Sequence, residues 1–118
     1  MEKATEAGKA WFDELLPSDD DVTRRPMFGN LAGFVNGNMF LCLFGDDVAV
    51  RLDEAAQQEL LGSGGRPFEP MAGRPMKEYV VLPDTFRDDL AESMSWVARS
   101  LEHTRAMPPK QKKTTKKK

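Results

Sequence analysis

The amino-acid sequence predicts a single small α+β domain of two layers, with helices packed on an antiparallel sheet of about five strands. Three observations predict it. Apolar residues recur at helical spacing near both ends of the chain, and they run at strand length through its middle. Between two of the middle runs sits Asn36-Gly37, the pair that a two-residue type I′ turn prefers because both of its central positions need positive φ. Helices grouped apart from hairpins indicate α+β rather than a parallel α/β fold, and 118 residues leave room for one core. The expected order is α-βββ-α-ββ-α.

Ala4 to Leu16 is expected as the first helix, with Ala7, Trp11 and Leu15 on one stripe and Phe12 and Leu16 on the next. Pro17 and Ser18-Asp19-Asp20-Asp21 end it, and the acids read as a solvated connector. Leu31 to Val35, Met39 to Phe44 and Val48 to Leu52 make a three-stranded meander within residues 29–52. In the third strand Val48, Val50 and Leu52 share one face, while Ala49 and Arg51 share the other. Met39 to Phe44 is apolar throughout, which predicts cover on both faces of the sheet, from the chain's own later segments or from a second subunit.

Asp53 is placed to cap a short helix, Glu54 to Leu61, stopped by Gly62-Ser63-Gly64-Gly65. Pro67 to Pro70 and Lys77 to Leu82 read as two further strands around a loop over residues 71–76. A short turn at Asp84 to Arg87 leads to a long helix capped by Asp88 or Asp89. Its expected inward stripe is Leu90, Met94, Val97 and Leu101, and Pro108-Pro109 stops it. The domain is thus expected over 1–107, followed by a disordered lysine-rich tail over 108–118.

Charge is divided unevenly along the chain. Lys110, Lys112, Lys113, Lys116, Lys117 and Lys118 are six of the 17 basic residues, which leaves 11 basic against 19 acidic residues, a body of formal charge −8. An acidic body repels phosphate backbones, so the folded domain is a poor candidate for generic nucleic-acid binding. The tail reads either as a weak nucleic-acid tether, with Arg24 and Arg25 as further phosphate contacts, or as a solubilising end with no partner. No apolar run reaches the roughly 18 residues of a membrane span. The first residues are polar and acidic rather than a secretory signal, and one cysteine, Cys42, excludes an internal disulfide framework. The expected location is the cytoplasm.

Arg25-Pro26-Met27-Phe28-Gly29, Asn36-Gly37-Asn38-Met39-Phe40 and Val50-Arg51-Leu52-Asp53 appear in an order that resembles the TfoX/Sxy N-terminal domain family. Pro67-Phe68-Glu69-Pro70, Arg74-Pro75-Met76-Lys77-Glu78-Tyr79, Leu82-Pro83 and Trp96 continue the resemblance, which spans roughly Arg24 to Pro109. The resemblance implies an α+β fold, regulation of the kind seen in bacterial competence, no cofactor and no catalytic residues. In that family a smaller helical domain follows, where this sequence carries its lysine tail.

The residues with chemical potential are few. Arg24, Arg25, Arg51 and Arg74, with Tyr79, are the candidate contacts for an anionic ligand or a partner; the alternative is that these arginines pair with the abundant acids. Cys42 lies within an apolar strand, where a thiol is inert. His103, the only histidine, sits in the last turn of the last helix, where the helix dipole accounts for it. One Cys and one His do not make a structural zinc site. Gly62 to Gly65 lacks the Lys-Ser/Thr of a phosphate-binding loop, Met27-Phe28-Gly29 reads as structural, and the aspartate pairs sit at turns and caps. Together these point to a non-enzymatic regulatory or protein-interaction domain, expected to be homodimeric and to bind an unidentified protein partner. The alternatives are a nucleic-acid-associated protein and a binder of small anions.

Overall fold

The computed structural model describes residues 3–27, 29–69, 73 and 76–108. Three helices, α1 (Glu6–Leu15), α2 (Glu54–Gly62) and α3 (Leu90–Arg105), pack on a sheet of β1 (Val22–Met27), β2 (Asn30–Val35), β3 (Asn38–Phe44), β4 (Asp47–Arg51), β5 (Arg66–Pro67) and β6 (Tyr79–Val81). A 3-10 helix, Asp84–Asp88, precedes α3. All neighbouring strands are antiparallel, in the order β1-β2-β3-β4-β6-β5. The sheet therefore has one strand more than the five expected. The addition is β1, whose residues 23–26 are exposed, so it shows no alternation of buried and polar positions.

Local chemistry sets the boundaries. Asn36 and Gly37 take φ of 54° and 79°, the positive values the hairpin turn demands, and Val35 faces Asn38 across it. Thr5, Asp53 and Asp89 each cap a helix by accepting a backbone N–H, at 2.9, 2.8 and 3.2 Å respectively. Asp89 rather than Asp88 is the cap of α3.

Between β2 and β3 the pairing steps from Gly33–Leu41 to Phe34–Met39, so Phe40 is an extra, bulged residue. The bulge turns both Phe40 and Leu41 toward the helices, into a core with Phe12, Leu15, Val48, Val50, Leu52, Leu60 and Val97. At the bulge the β3–β4 pairing also ends, with Leu41–Val50 as its last pair. Ser100 of α3 reaches into this gap. Its hydroxyl donates to the Phe40 carbonyl at 2.6 Å and accepts from the Arg51 N–H at 3.1 Å.

This insertion explains where the expected stripe of α3 was misplaced. Leu90 and Met94 are 41% and 44% exposed. The inward face is instead Ser93, Trp96, Val97, Ser100, Leu101 and Thr104. Ser93 and Ser100 can face the core because each donates to a backbone carbonyl, Ser93 to Phe86 at 2.7 Å.

The opposite face of the sheet carries a second, smaller core of Ala32, Cys42, Ala49, Phe68, Tyr79 and Val81, against which Phe34, Met39, Phe44 and Met76 pack. Phe68 and Met76 come from the later part of the chain, and the Met76 N–H donates to the Phe68 carbonyl at 2.8 Å. The chain itself thus buries the middle of this face, the first of the two kinds of cover expected.

Candidate functional site

Strand alternation sorts the arginines. In β1, Arg24 pairs with Gly33 and Arg25 with Ala32, so the two neighbours point to opposite faces. Arg24 lies on the helix side, where its Nε donates to Asp13 of α1 at 2.9 Å. Arg25 lies on the second face with its guanidinium 5.3 Å from the centre of the Phe34 ring, and it has no ion pair among the described residues.

Arg51 also lies on the second face, at the end of β4 opposite Tyr79 of β6. Its guanidinium is 5.7 Å from the Tyr79 ring centre, and its Nε donates to Glu78 at 2.6 Å. Only 17% of the Arg51 side chain is exposed, so most of its charge is spent within this cluster. The Tyr79 hydroxyl donates to the Met39 carbonyl at 2.8 Å. Burial pushes the Tyr79 phenol up to about 12 despite the opposing pull of Arg51, so it is a neutral donor at physiological pH.

Of the candidate residues, the structure therefore joins Arg51 to Tyr79 and places Arg25 on the same face, three strand spacings or roughly 14 Å across the sheet. It turns Arg24 away. Arg74 and the six tail lysines lie outside the described residues, as do Phe28 and the side chain of Met27.

Arg25, Ala32, Cys42, Ala49, Val81 and Arg66 form one continuous cross-strand row. Arginines thus stand at both ends of a row whose middle is small and apolar. Cys42 sits in that middle, where burial pushes its thiol up to about 12 and leaves it neutral and unreactive. Sequence reasoning missed Arg66. It precedes Pro67 after a glycine loop, and only the two-residue pairing of β5 with β6 puts it on this face. His103 is partly buried in the last turn of α3.

Among the described residues no three His, Cys, Asp or Glu side chains gather so as to hold a metal ion, and no helix is long and apolar enough to cross a membrane. A six-stranded antiparallel sheet with helices on one face and an arginine-bearing second face defines a small α+β domain. Residues 14–104 match the TfoX N-terminal domain, and the chain belongs to that family. No curated protein sequence matches the chain significantly.

Proposed function

We propose that this domain is a non-catalytic regulatory module of the cytoplasm that acts by binding another protein. Membership of the TfoX N-terminal domain family carries the reading, because that family supplies regulatory domains of the competence type. The state of the reactive groups supports it: the Cys42 thiol is held neutral by burial, and the Tyr79 hydroxyl is committed to the Met39 carbonyl.

The working surface in this reading is the β1–β3 part of the second face. There Arg25, without an ion pair among the described residues, offers a cation beside Phe34 and Met39, which are only partly buried. Arginine and aromatic side chains of this kind are enriched at protein interfaces. Self-association through the same patch would give the homodimer.

Arg25→Glu reverses the exposed charge without touching either core. Affinity capture from native cytoplasm, with and without nuclease, is expected to recover a nuclease-insensitive protein partner with the unaltered chain and to lose it with R25E. Equal recovery by both forms would remove this surface from consideration. Light scattering at micromolar concentration checks the dimer, and a monomer there would exclude self-association.

A further inference from the structure

The other end of the second face carries a different chemistry. Phe44 stands opposite Asp47 across the β3–β4 turn, and Arg66 stands opposite Val81. Cross-strand partners project from the same face, so all four belong to the second face. Phe68 follows just beyond β5 and meets Phe44 edge-on, with ring centres 6.1 Å apart and planes at 75°. With Pro67 and Glu69 these residues line an open cleft of about 450 Å³. That volume falls within the range of sites that take a small ligand or a single side chain.

Charge selects what enters. The cation among the described lining residues, Arg66, donates to Asp47 at 3.1 Å and lies 3.9 Å from Asp84, which Arg87 also approaches at 3.8 Å. Glu69 completes the acidic wall, its carboxylate held by the Gly73 N–H at 2.6 Å. Three carboxylates, Asp47, Asp84 and Glu69, stand against the two guanidiniums of Arg66 and Arg87 and leave a net negative charge. An anion would have to displace two carboxylates from Arg66 while facing Glu69. A cation meets the excess charge directly. The walls of Phe44, Phe68, Pro67 and Val81 suit an alkyl stem carrying that charge, and the paired aromatic rings add cation–π attraction.

We infer that this cleft is a binding site for a lysine side chain presented by a basic peptide of a partner protein. The inference rests on the protein-binding reading above for its partner, but on a separate surface from Arg25. A body of formal charge −8 outside the tail steers such a peptide toward the domain.

Titration of a penta-lysine peptide into isotope-labelled full-length chain, followed by NMR, tests the site. Shifts concentrated at Phe44, Asp47, Phe68 and Val81 are expected, with none from a penta-glutamate peptide. Asp47→Asn with Glu69→Gln removes one half-buried and one exposed charge without opening the core, and should weaken binding by about tenfold. R25E should leave this binding unchanged, so failure of the Arg25 surface and failure of the cleft read out separately. Shifts spread evenly over the acidic surface, including Asp19 to Asp21, would overturn the site, as would binding of the acidic peptide. A third arm replaces the six tail lysines with glutamine in the full-length chain. Movement of the cleft resonances from that change alone would show the chain's own tail as the occupant and overturn the assignment to a partner.

Discussion

Ser100 shows how much one small polar residue can hold. The bulge at Phe40 leaves a carbonyl on β3 and an N–H on β4 facing a gap, and the serine hydroxyl serves both. From the other side of the sheet, Tyr79 serves the next carbonyl, Met39. An apolar replacement at either position orphans backbone groups that water cannot easily reach. Ser100→Ala is expected to cost about 1–3 kcal/mol, since it strands a donor and an acceptor together. Tyr79→Phe strands one partly buried acceptor and should cost about 1 kcal/mol. Urea unfolding measures both, and an unchanged dependence on denaturant would confirm that stability rather than compactness has moved. A Ser100→Ala variant as stable as the parent would show that the gap closes without the hydroxyl.

At the scale of elements, α1 depends on an absence. Glycine inside a helix ordinarily weakens it by about 1 kcal/mol relative to alanine. At Gly8, however, an added Cβ would stand 2.7 Å from the Gly45 carbonyl oxygen in the β3–β4 turn. The same oxygen accepts the Thr5 N–H at 3.2 Å, so the turn is tied to the start of the helix and cannot simply withdraw. The clash outweighs the gain in helix propensity: Gly8→Ala is expected to destabilise by about 1–3 kcal/mol. Gly62, at the end of α2, has nothing within 4 Å of the equivalent position, so Gly62→Ala should be neutral or stabilising. Thermal unfolding of the pair checks the opposite signs.

Elements were legible in the sequence where one force set them. The Asn36-Gly37 turn is local chemistry, and the Val48-Val50-Leu52 face is simple alternation. β1 was hidden because it is an edge. Only one side of it pairs, and Thr23, Arg24, Arg25 and Pro26 are all exposed. By the alternation that follows from the Val35–Asn38 pair, Val22, Arg24 and Pro26 turn their backbone outward. The Val22 N–H is taken by the Asp19 carbonyl at 3.0 Å and Pro26 has none, so two of the three outward positions offer no donor and the edge resists further strand addition. The phase of α3 was hidden for another reason: its serines face inward to meet backbone carbonyls, a tertiary demand that hydrophobic spacing does not record. The site was legible in part. Arg51 and Tyr79 could be named from strand parity and the loop around them, whereas Arg66 gains its place from a pairing with no local signal.

Across the whole molecule, charge ties distant parts of the chain together. Arg105, at the end of α3, donates to Asp21 at 2.8 and 2.9 Å and to Asp19 at 2.9 Å, closing the loop after α1 onto the last helix. The hydrogen bond from Arg105 holds the Asp21 carboxyl below its ordinary 3.8, and Arg99 holds Glu59 below 4.5 in the same way. A carboxyl whose folded value is depressed stabilises the fold fully above its unfolded value. That contribution fades as pH falls past it and is lost once pH drops through the folded value. Stability should therefore decline below about pH 4.5, and Arg105→Gln should flatten the part due to Asp21. All four groups are exposed, so added salt should shrink the effect. Melting temperatures from pH 7 to pH 2.5 at two salt concentrations test this, and an acid limb unaltered by R105Q would remove Asp21 from the account.

The same end of the molecule is where the basic segment departs. Asn36 donates to the Arg105 carbonyl at 3.4 Å and Asn38 donates to the Pro108 carbonyl at 3.0 Å, so the close of α3 is fastened to the β2–β3 hairpin. Six lysines follow within the next ten residues, beside a body that carries −8. An attraction to nucleic acid carried by those lysines would act against repulsion by the rest, which would make it weak, indifferent to sequence and steeply dependent on salt. If all six contact phosphates of duplex DNA, the logarithm of the binding constant should fall with the logarithm of salt at a slope of about −5. Replacing the six with glutamine in the full-length chain should abolish binding to a DNA or RNA oligonucleotide at low salt while leaving the melting temperature unchanged. Equal binding by the substituted chain would instead assign the contact to the folded body, and Arg25, the cation of the second face without an ion pair among the described residues, would be the first residue to replace.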